Sequence, residues 1–333
     1  MFSLFSSKKE RDLSDIQAPI NDDLAQFERV FRQAMRSKIT LLDTIMRYLV
    51  RRKGKQMRPM FVFFAAKLGG DITPATHRGA ALIELLHTAT LVHDDVVDDA
   101  YERRGFFSIN AIWKNKISVL VGDYLLSRGL LLAIDNGDFQ ALQLLSRAVR
   151  EMSEGELLQI ERSRHLNLDE SVYYEIIRQK TASLIASACA VGFASTNSDK
   201  TLQQKVWQIG EKIGMAFQIK DDLFDFGDSQ QTGKPTGIDI KEKKMTLPLI
   251  YSLNNASGSD KRRMIYIIKQ HSANPKRVEE VVNFVHQSGG IAYAQEVMNQ
   301  YRQAALEQLR EFPDNEGRRG LEELISFTIE RKK

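Results

Sequence analysis

Residues 80–99, "AALIELLHTATLVHDDVVDD", decide the fold. The first two-thirds are apolar nearly all the way round a helix, and no Pro or Gly interrupts them. Such a helix must be covered on every side, which places it inside a helical bundle. Four aspartates within six positions then close the segment. Carboxylates near a helix C-terminus meet the negative end of the macrodipole. Like charges at i and i+4 add a further penalty of a few tenths, about 0.2–0.5 kcal/mol. A core helix that ends this way calls for a cation.

The rest of the chain carries the same helical periodicity. Leu24, Phe27, Val30 and Phe31 lie on one face of a helix, and 180–194 is as apolar all round as 78–93. Residues 275–312 read as two helices broken at Gly289 and Gly290. No strand-rich block is visible, and only 7 prolines punctuate the 333 residues. The expected fold class is all-α, one large helical domain over 21–333 behind a flexible arm over 1–20. One long polar loop, "GDSQQTGKPTGIDIKEKK" at 227–244, stands out as functional.

Composition bounds the function. A formal charge of +4 is too balanced to imply nucleic-acid binding. Cys189 is the single cysteine, so the chain has no internal disulfide and no cysteine metal cluster, in keeping with a reducing cytoplasm. The opening "MFSLFSSKKERDLSD" is no signal peptide, and no run reads as long enough to span a membrane. A soluble protein is expected, its only membrane contact a peripheral one at product release.

The aspartates occur twice. "DDVVDD" at 94–99 is matched by "DDLFD" at 221–225, and both fit D-D-x-x-D at the end of an apolar run. Asp94 and Asp98 share a helix face, with Asp95 about 100° round; Asp221, Asp222 and Asp225 repeat the pattern. Carboxylates without His or Cys alongside are hard oxygen ligands, suited to Mg²⁺. Mg²⁺ takes few protein carboxylates and fills its shell with water and phosphate oxygens. Two such motifs facing each other would hold Mg²⁺ around a diphosphate. Basic residues lie nearby: Lys55 and Arg58, three apart on one expected helix face, and Arg103 and Arg104, read as two and a half turns beyond Asp94. His87 lies two turns before Asp94, where it either packs or donates to a phosphate; His93 reads as structural.

Together, "GKQMRP" (54–59), "LVHDDVVDDAYERRG" (91–105), "GELLQ" (155–159), "RQKTASL" (178–184), "AFQIKDDLFD" (216–225) and "GKPTGIDIKEKKMTLPL" (233–249) resemble the trans-prenyl diphosphate synthases, in family order. The resemblance implies the isoprenoid-synthase helical bundle around an apolar cavity. It implies three Mg²⁺ ions held by Asp94, Asp98 and Asp221, with Asp95, Asp222 and Asp225 in support. Arg103, Lys180, Lys234 and Lys244 would hold an allylic diphosphate such as farnesyl diphosphate. Lys55, Arg58, His87 and Arg104 would hold isopentenyl diphosphate. Thr181, Gln218 and Gln159 would turn oxygen dipoles toward the carbocation. The chain departs from many bacterial members in having Gln56 where they have Arg, which weakens one phosphate contact. A homodimer is expected, with the helix over 110–133 in the interface.

In such enzymes the fourth and fifth residues before the first aspartate gate chain length. Here they are Thr90 and Ala89, both small, so the resemblance implies an open gate and a long all-trans product. Leu85, Leu86 and Leu125 are candidates for the deeper wall. The alternatives are a short-chain geranylgeranyl or farnesyl diphosphate synthase, a class I terpene cyclase and a non-catalytic partner subunit. The second D-D-x-x-D, with Lys55 and Arg58, speaks against the cyclase.

Overall fold

The computed structural model describes residues 12–51, 54–103, 105–163, 166, 169–227 and 237–330, with only the backbone of Arg103. Its chain order is α1 Leu13–Gln17, α2 Asn21–Ala34, α3 Thr40–Arg51, α4 Met57–Gly69, α5 Pro74–Val97, β1 Glu102–Arg103, β2 Phe106–Phe107, α6 Ile109–Asp135, α7 Phe139–Ser163 and α8 Glu170–Ile177. After a π-helical turn, Arg178–Ala182, come α9 Ser183–Ala194, α10 Lys200–Phe224, α11 Ile238–Lys241, α12 Leu247–Asn254, α13 Gly258–Gln270, α14 Pro275–Gln287, α15 Gly290–Leu309 and α16 Glu316–Glu330.

The helix with no polar face takes the centre. Every residue of α9 from Ser183 to Phe193 is buried, and α4, α5, α7 and α10 close around it. Around this layer, α6 packs on α5, α15 on α10 and α16 on α4. The all-α expectation holds, the only strands described being the two-residue pair β1 and β2. A separate apolar cluster joins Phe226 and Ile240 to α12, α13 and α14, and so backs the segment that follows the second aspartate motif.

Two close approaches position the site. A Cβ on Gly214 of α10 would collide with the Ala182 Cα, so only glycine lets the π turn lie directly on α10. On α7, a Cβ at Gly155 would sit 2.9 Å from the Lys180 amide nitrogen. The backbone carrying Lys180 and Thr181 is thus pressed between two glycine-bearing helices.

Four expectations change. The arm expected over 1–20 is helical from Leu13, because Ile16 and Ile20 are buried against the main core; residues 1–11 lie outside the described part. The helix carrying the first motif ends at Val97, with Asp98 as its cap and Asp99 left-handed (φ 48°). Arg103 therefore lies on a hairpin that turns at Gly105 (φ 76°), not two and a half turns along a helix from Asp94. Lys55 precedes α4, which starts only after a left-handed Gln56 (φ 52°), so it shares no helix face with Arg58. Finally, α6 is by length and composition apolar enough to cross a membrane, although no such run was read from the sequence. Asp123 and Arg128 break its pattern to the eye without lowering its hydropathy enough. It also bends at Lys114 (φ 71°).

Candidate active site

Both aspartate motifs sit where a helix stops. Asp94 and Asp95 are in the last turn of α5, and Asp221 and Asp222 in the last turn of α10, with Asp98 and Asp225 as the respective caps. The dipole penalty read from the sequence is therefore present at both ends.

A cavity of about 360 Å³ opens beside the second motif. Gln159, Lys180, Thr181, Gln218, Asp221, Asp222, Asp225 and Lys244 all line it, from four separate stretches of chain. Gln218 is one turn from Gly214 and Thr181 is next to Ala182, so the glycine contact is what brings the two side chains together. The Thr181 hydroxyl donates to Gln218 Oε1 at 2.7 Å. The other end of that amide, Nε2, donates to Asp222 Oδ1 at 2.8 Å. Lys180 is ion-paired with Glu156 and donates to Gln159 Oε1 at 3.3 Å.

The three aspartates of the second motif are not equivalent. Asp222 is buried and also accepts from the Tyr173 hydroxyl at 2.7 Å. Asp225 accepts from the Ile238 and Asp239 amides at 2.7 and 3.2 Å, so its carboxylate caps α11 and ties down the base of the long loop. Burial, reinforced by the Asp239 charge, pushes Asp222 up to about 8 and Asp225 to about 6. Asp239 is also raised, by burial first, against the pull of Lys244. Burial alone would lower the Lys244 ammonium, but Glu242, Asp239 and Asp98 outweigh it and hold it high. Lys244 therefore lines the cavity of the second motif while feeling Asp98 of the first.

Around the first motif, Asp95 is buried, turned inward from the exposed Asp98. His87 is buried on α5, Arg58 is half-buried, and Lys55 lies 5.7 Å from the Phe327 ring centre. None of Lys55, Arg58, His87, Asp94, Asp95 or Asp98 is among the residues lining the cavity. Arg104, Lys234 and the Arg103 side chain lie outside the described residues. Gln56 donates to Glu28 at 3.0 Å. Ala89 is fully buried in a cluster with Leu85, Leu125, Met35, Ile45 and Met46, whereas Leu86 belongs to the main core. The Thr90 hydroxyl bonds back to the His87 carbonyl at 2.9 Å. Tyr173, Glu156 and Asp239 escaped the sequence reading, although Asp239 sits within the quoted loop.

The donor set suits a hard cation. Among the described residues no three His, Cys, Asp or Glu side chains converge into a ready-made cage. The carboxylate oxygens of the two motifs are themselves the fit to an ion such as Mg²⁺, which enters with phosphate oxygens and needs only one or two carboxylates. All three aspartates of the second motif line the cavity, and Asp222 and Asp225 accept hydrogen bonds there from other parts of the chain.

The polyprenyl synthetase family matches residues 39–285. The chain is 34% identical over 323 residues to the all-trans-nonaprenyl-diphosphate synthase (geranyl-diphosphate specific) of Rhodobacter capsulatus, covering 95% of this chain and 97% of that one. It is 34% identical to heptaprenyl diphosphate synthase component 2 of Geobacillus stearothermophilus, over 92% of this chain and 95% of that one. Among solved structures it is similar to a polyprenyl synthase of Caulobacter crescentus CB15 complexed with calcium and isoprenyl diphosphate. The TM-score there is 0.90, at 33% identity, over 98% of this chain and 100% of that one. With the two aspartate-ended helices, the lysines and the threonine–glutamine pair in place, this chain belongs to the polyprenyl synthetase family and is a prenyltransferase.

Proposed function

We propose that the chain is an all-trans polyprenyl diphosphate synthase that adds isopentenyl diphosphate repeatedly to an allylic diphosphate and releases a long product. The observation that carries the length is Ala89, a fully buried small residue about one turn before Asp94, in an apolar cluster that continues through Leu85 and Leu125. Each turn of α5 spans about 5.4 Å, close to one extended isoprene unit. No bulky side chain at Ala89 or Thr90 stops a growing chain after its first additions. The Rhodobacter and Geobacillus relatives bear long-chain names, which supports the same reading.

Three Mg²⁺ ions, when bound, would neutralise the leaving diphosphate and so favour ionisation of the allylic C–O bond. Asp94, Asp98 and Asp221 would hold them. Lys180 and Lys244 stabilise charge on the diphosphate as it departs. Lys180 must first exchange its Glu156 partner for phosphate oxygen. Gln218 and Thr181 present oxygen to the cationic carbon, and Lys55, Arg58 and His87 hold isopentenyl diphosphate for attack. The departing diphosphate takes the proton lost after bond formation. Apolar walls keep water from the cation.

The deciding assay incubates the purified chain alone with Mg²⁺, farnesyl diphosphate and labelled isopentenyl diphosphate, and resolves the products by thin-layer chromatography. Products of about six or more isoprene units, a length of several helix turns, are expected. Arrest at four units or fewer makes a short-chain synthase the better reading. No turnover without a second protein would favour a component that needs a partner, the term used for the Geobacillus relative.

We propose a homodimer built on α6. Its Ile112, Val119, Leu120, Leu130, Leu131 and Ile134 are all more than 40% exposed in the single chain, an apolar stripe that a second copy would cover. Light scattering should give twice the chain mass, and Leu120→Glu should shift it toward monomer. A monomeric wild-type chain at micromolar concentration would end this proposal.

A further inference from the structure

We propose that Tyr173 is a positioning residue for the condensation, acting through Asp222 to aim the carbonyl of Gln218 at the cationic carbon. The inference rests on the polyprenyl synthase reading and adds to it a residue that carries none of the metal or diphosphate.

The geometry is a chain of three hydrogen bonds along one wall of the cavity. Tyr173 donates to Asp222 Oδ2 at 2.7 Å, Gln218 Nε2 donates to Asp222 Oδ1 at 2.8 Å, and Thr181 donates to Gln218 Oε1 at 2.7 Å. All four side chains line the same space. In the cation-loaded site, where Asp222 is ionised, its carboxylate accepts and cannot donate, so the Gln218 amide must present its NH₂ to Asp222 and its oxygen to the Thr181 side. Reversal would put the NH₂, the positive end of the dipole, on that side. The wall discriminates between these two orientations only while the Asp222 carboxylate stays put.

Asp222 is itself buried, at the end of a helix where Asp239 and Asp221 repel it. Its second oxygen needs a donor, and Tyr173 supplies one from α8, a different element. Two donors from two helices set the carboxylate plane, and the plane sets the amide. The hydroxyl is placed without slack: Tyr173 is buried, and its ring packs edge-on to Tyr174 with centroids 5.5 Å apart. A buried tyrosine with only a packing role does not require a partner on this particular carboxylate.

The test is Tyr173→Phe, which removes one oxygen and keeps the ring. Binding to the Mg²⁺-loaded chain is measured by titration calorimetry with two probes. One is farnesyl thiolodiphosphate, which is neutral at the reacting carbon. The other is a farnesyl diphosphate analogue with an ammonium nitrogen in place of the cationic carbon. The ammonium analogue should bind about tenfold more weakly to the variant, the scale of one oriented hydrogen-bonding dipole, with the thiolodiphosphate unchanged within twofold. The kcat should fall by a similar factor with KM for isopentenyl diphosphate steady. In a Gln218→Leu background, which loses the carbonyl outright, adding Tyr173→Phe should cost less than a further twofold. Replacing Tyr173 by 3-fluorotyrosine, nearly isosteric and still a donor, should keep both affinities near wild type whether or not the Phe variant folds. Equal weakening of both probes, additive losses in the double variant, or a fluorotyrosine chain as impaired as the Phe chain would each overturn the proposal. Wild-type turnover in the same assay tests the underlying function separately.

Discussion

Ala89 illustrates how one small side chain carries a functional consequence. It is fully buried among Leu85, Val92, Val121 and Leu125, so a larger residue there must project into whatever the cluster admits. Ala89→Phe should shorten the product to about 15–20 carbons, since one turn of helix spans about one isoprene unit. Overpacking would lower stability by about 1–3 kcal/mol. Thin-layer chromatography checks the product and circular dichroism the fold; an unchanged long product would remove Ala89 from the gate. At this scale the legible residues were those that broke a rule of their own helix. Asp94 and Asp221 oppose a dipole, and a charge in the wrong place is visible without coordinates. Tyr173 broke none. In "SVYYEII" it reads as one more core aromatic, and the acceptor that gives it a role lies 49 positions away. Asp239 was hidden differently, as one acid in a polar loop where acids are ordinary; only the fold brings it to the cavity beside Asp222.

Among the elements, the π turn and α10 form the contact on which the site's geometry depends. Gly214→Val would drive a branched side chain into the Ala182 backbone. The expected loss is about 1–3 kcal/mol or more, because neither helix can yield without moving its neighbours. Turnover should fall more than stability alone accounts for, since Thr181 and Gln218 would part by more than a hydrogen bond tolerates. Thermal melts and kcat measured below the melting range separate the two effects. A Gly214→Val chain with wild-type melting and turnover would show that the helices have room to spare. The helices themselves were largely legible, because an apolar face repeats along each of them. Their endings were less so. No Gly or Pro marks the stop at Val97; the chain turns there through a left-handed Asp99, a conformation that Asp tolerates but does not announce. The extra residue that makes 178–182 a π turn also leaves no trace in hydrophobic period, yet it sets where Lys180 and Thr181 point.

On the scale of the whole molecule, two helices end in aspartates, and at the second the fold carries the mutual repulsion of Asp221, Asp222 and Asp239 whenever no cation is bound. Burial raises Asp222 to about 8 and Asp225 to about 6, above their unfolded values near 4. The metal-free native state then holds protons that the unfolded chain releases. Its stability is greatest below about pH 4 as far as these groups go, and is lost as pH rises through 6 and 8. The melting temperature in EDTA should therefore fall between pH 5 and pH 8. Mg²⁺ with inorganic diphosphate should flatten that slope, since bound cations favour the carboxylates. A metal-free melting temperature that stays level or climbs over this range would refute the assignment of Asp222 and Asp225 as strained acids. The same two charged helix ends bear on how long a molecule survives. Degradative enzymes cut chains in proportion to how often they open, and Mg²⁺ and diphosphate, by binding only the folded form, would make opening rarer. A cell short of prenyl diphosphates would thus clear this synthase faster, and one well supplied would keep it. Limited proteolysis at pH 8, with and without Mg²⁺ and diphosphate, measures that difference in lifetime; equal cutting rates would show that occupancy does not govern it.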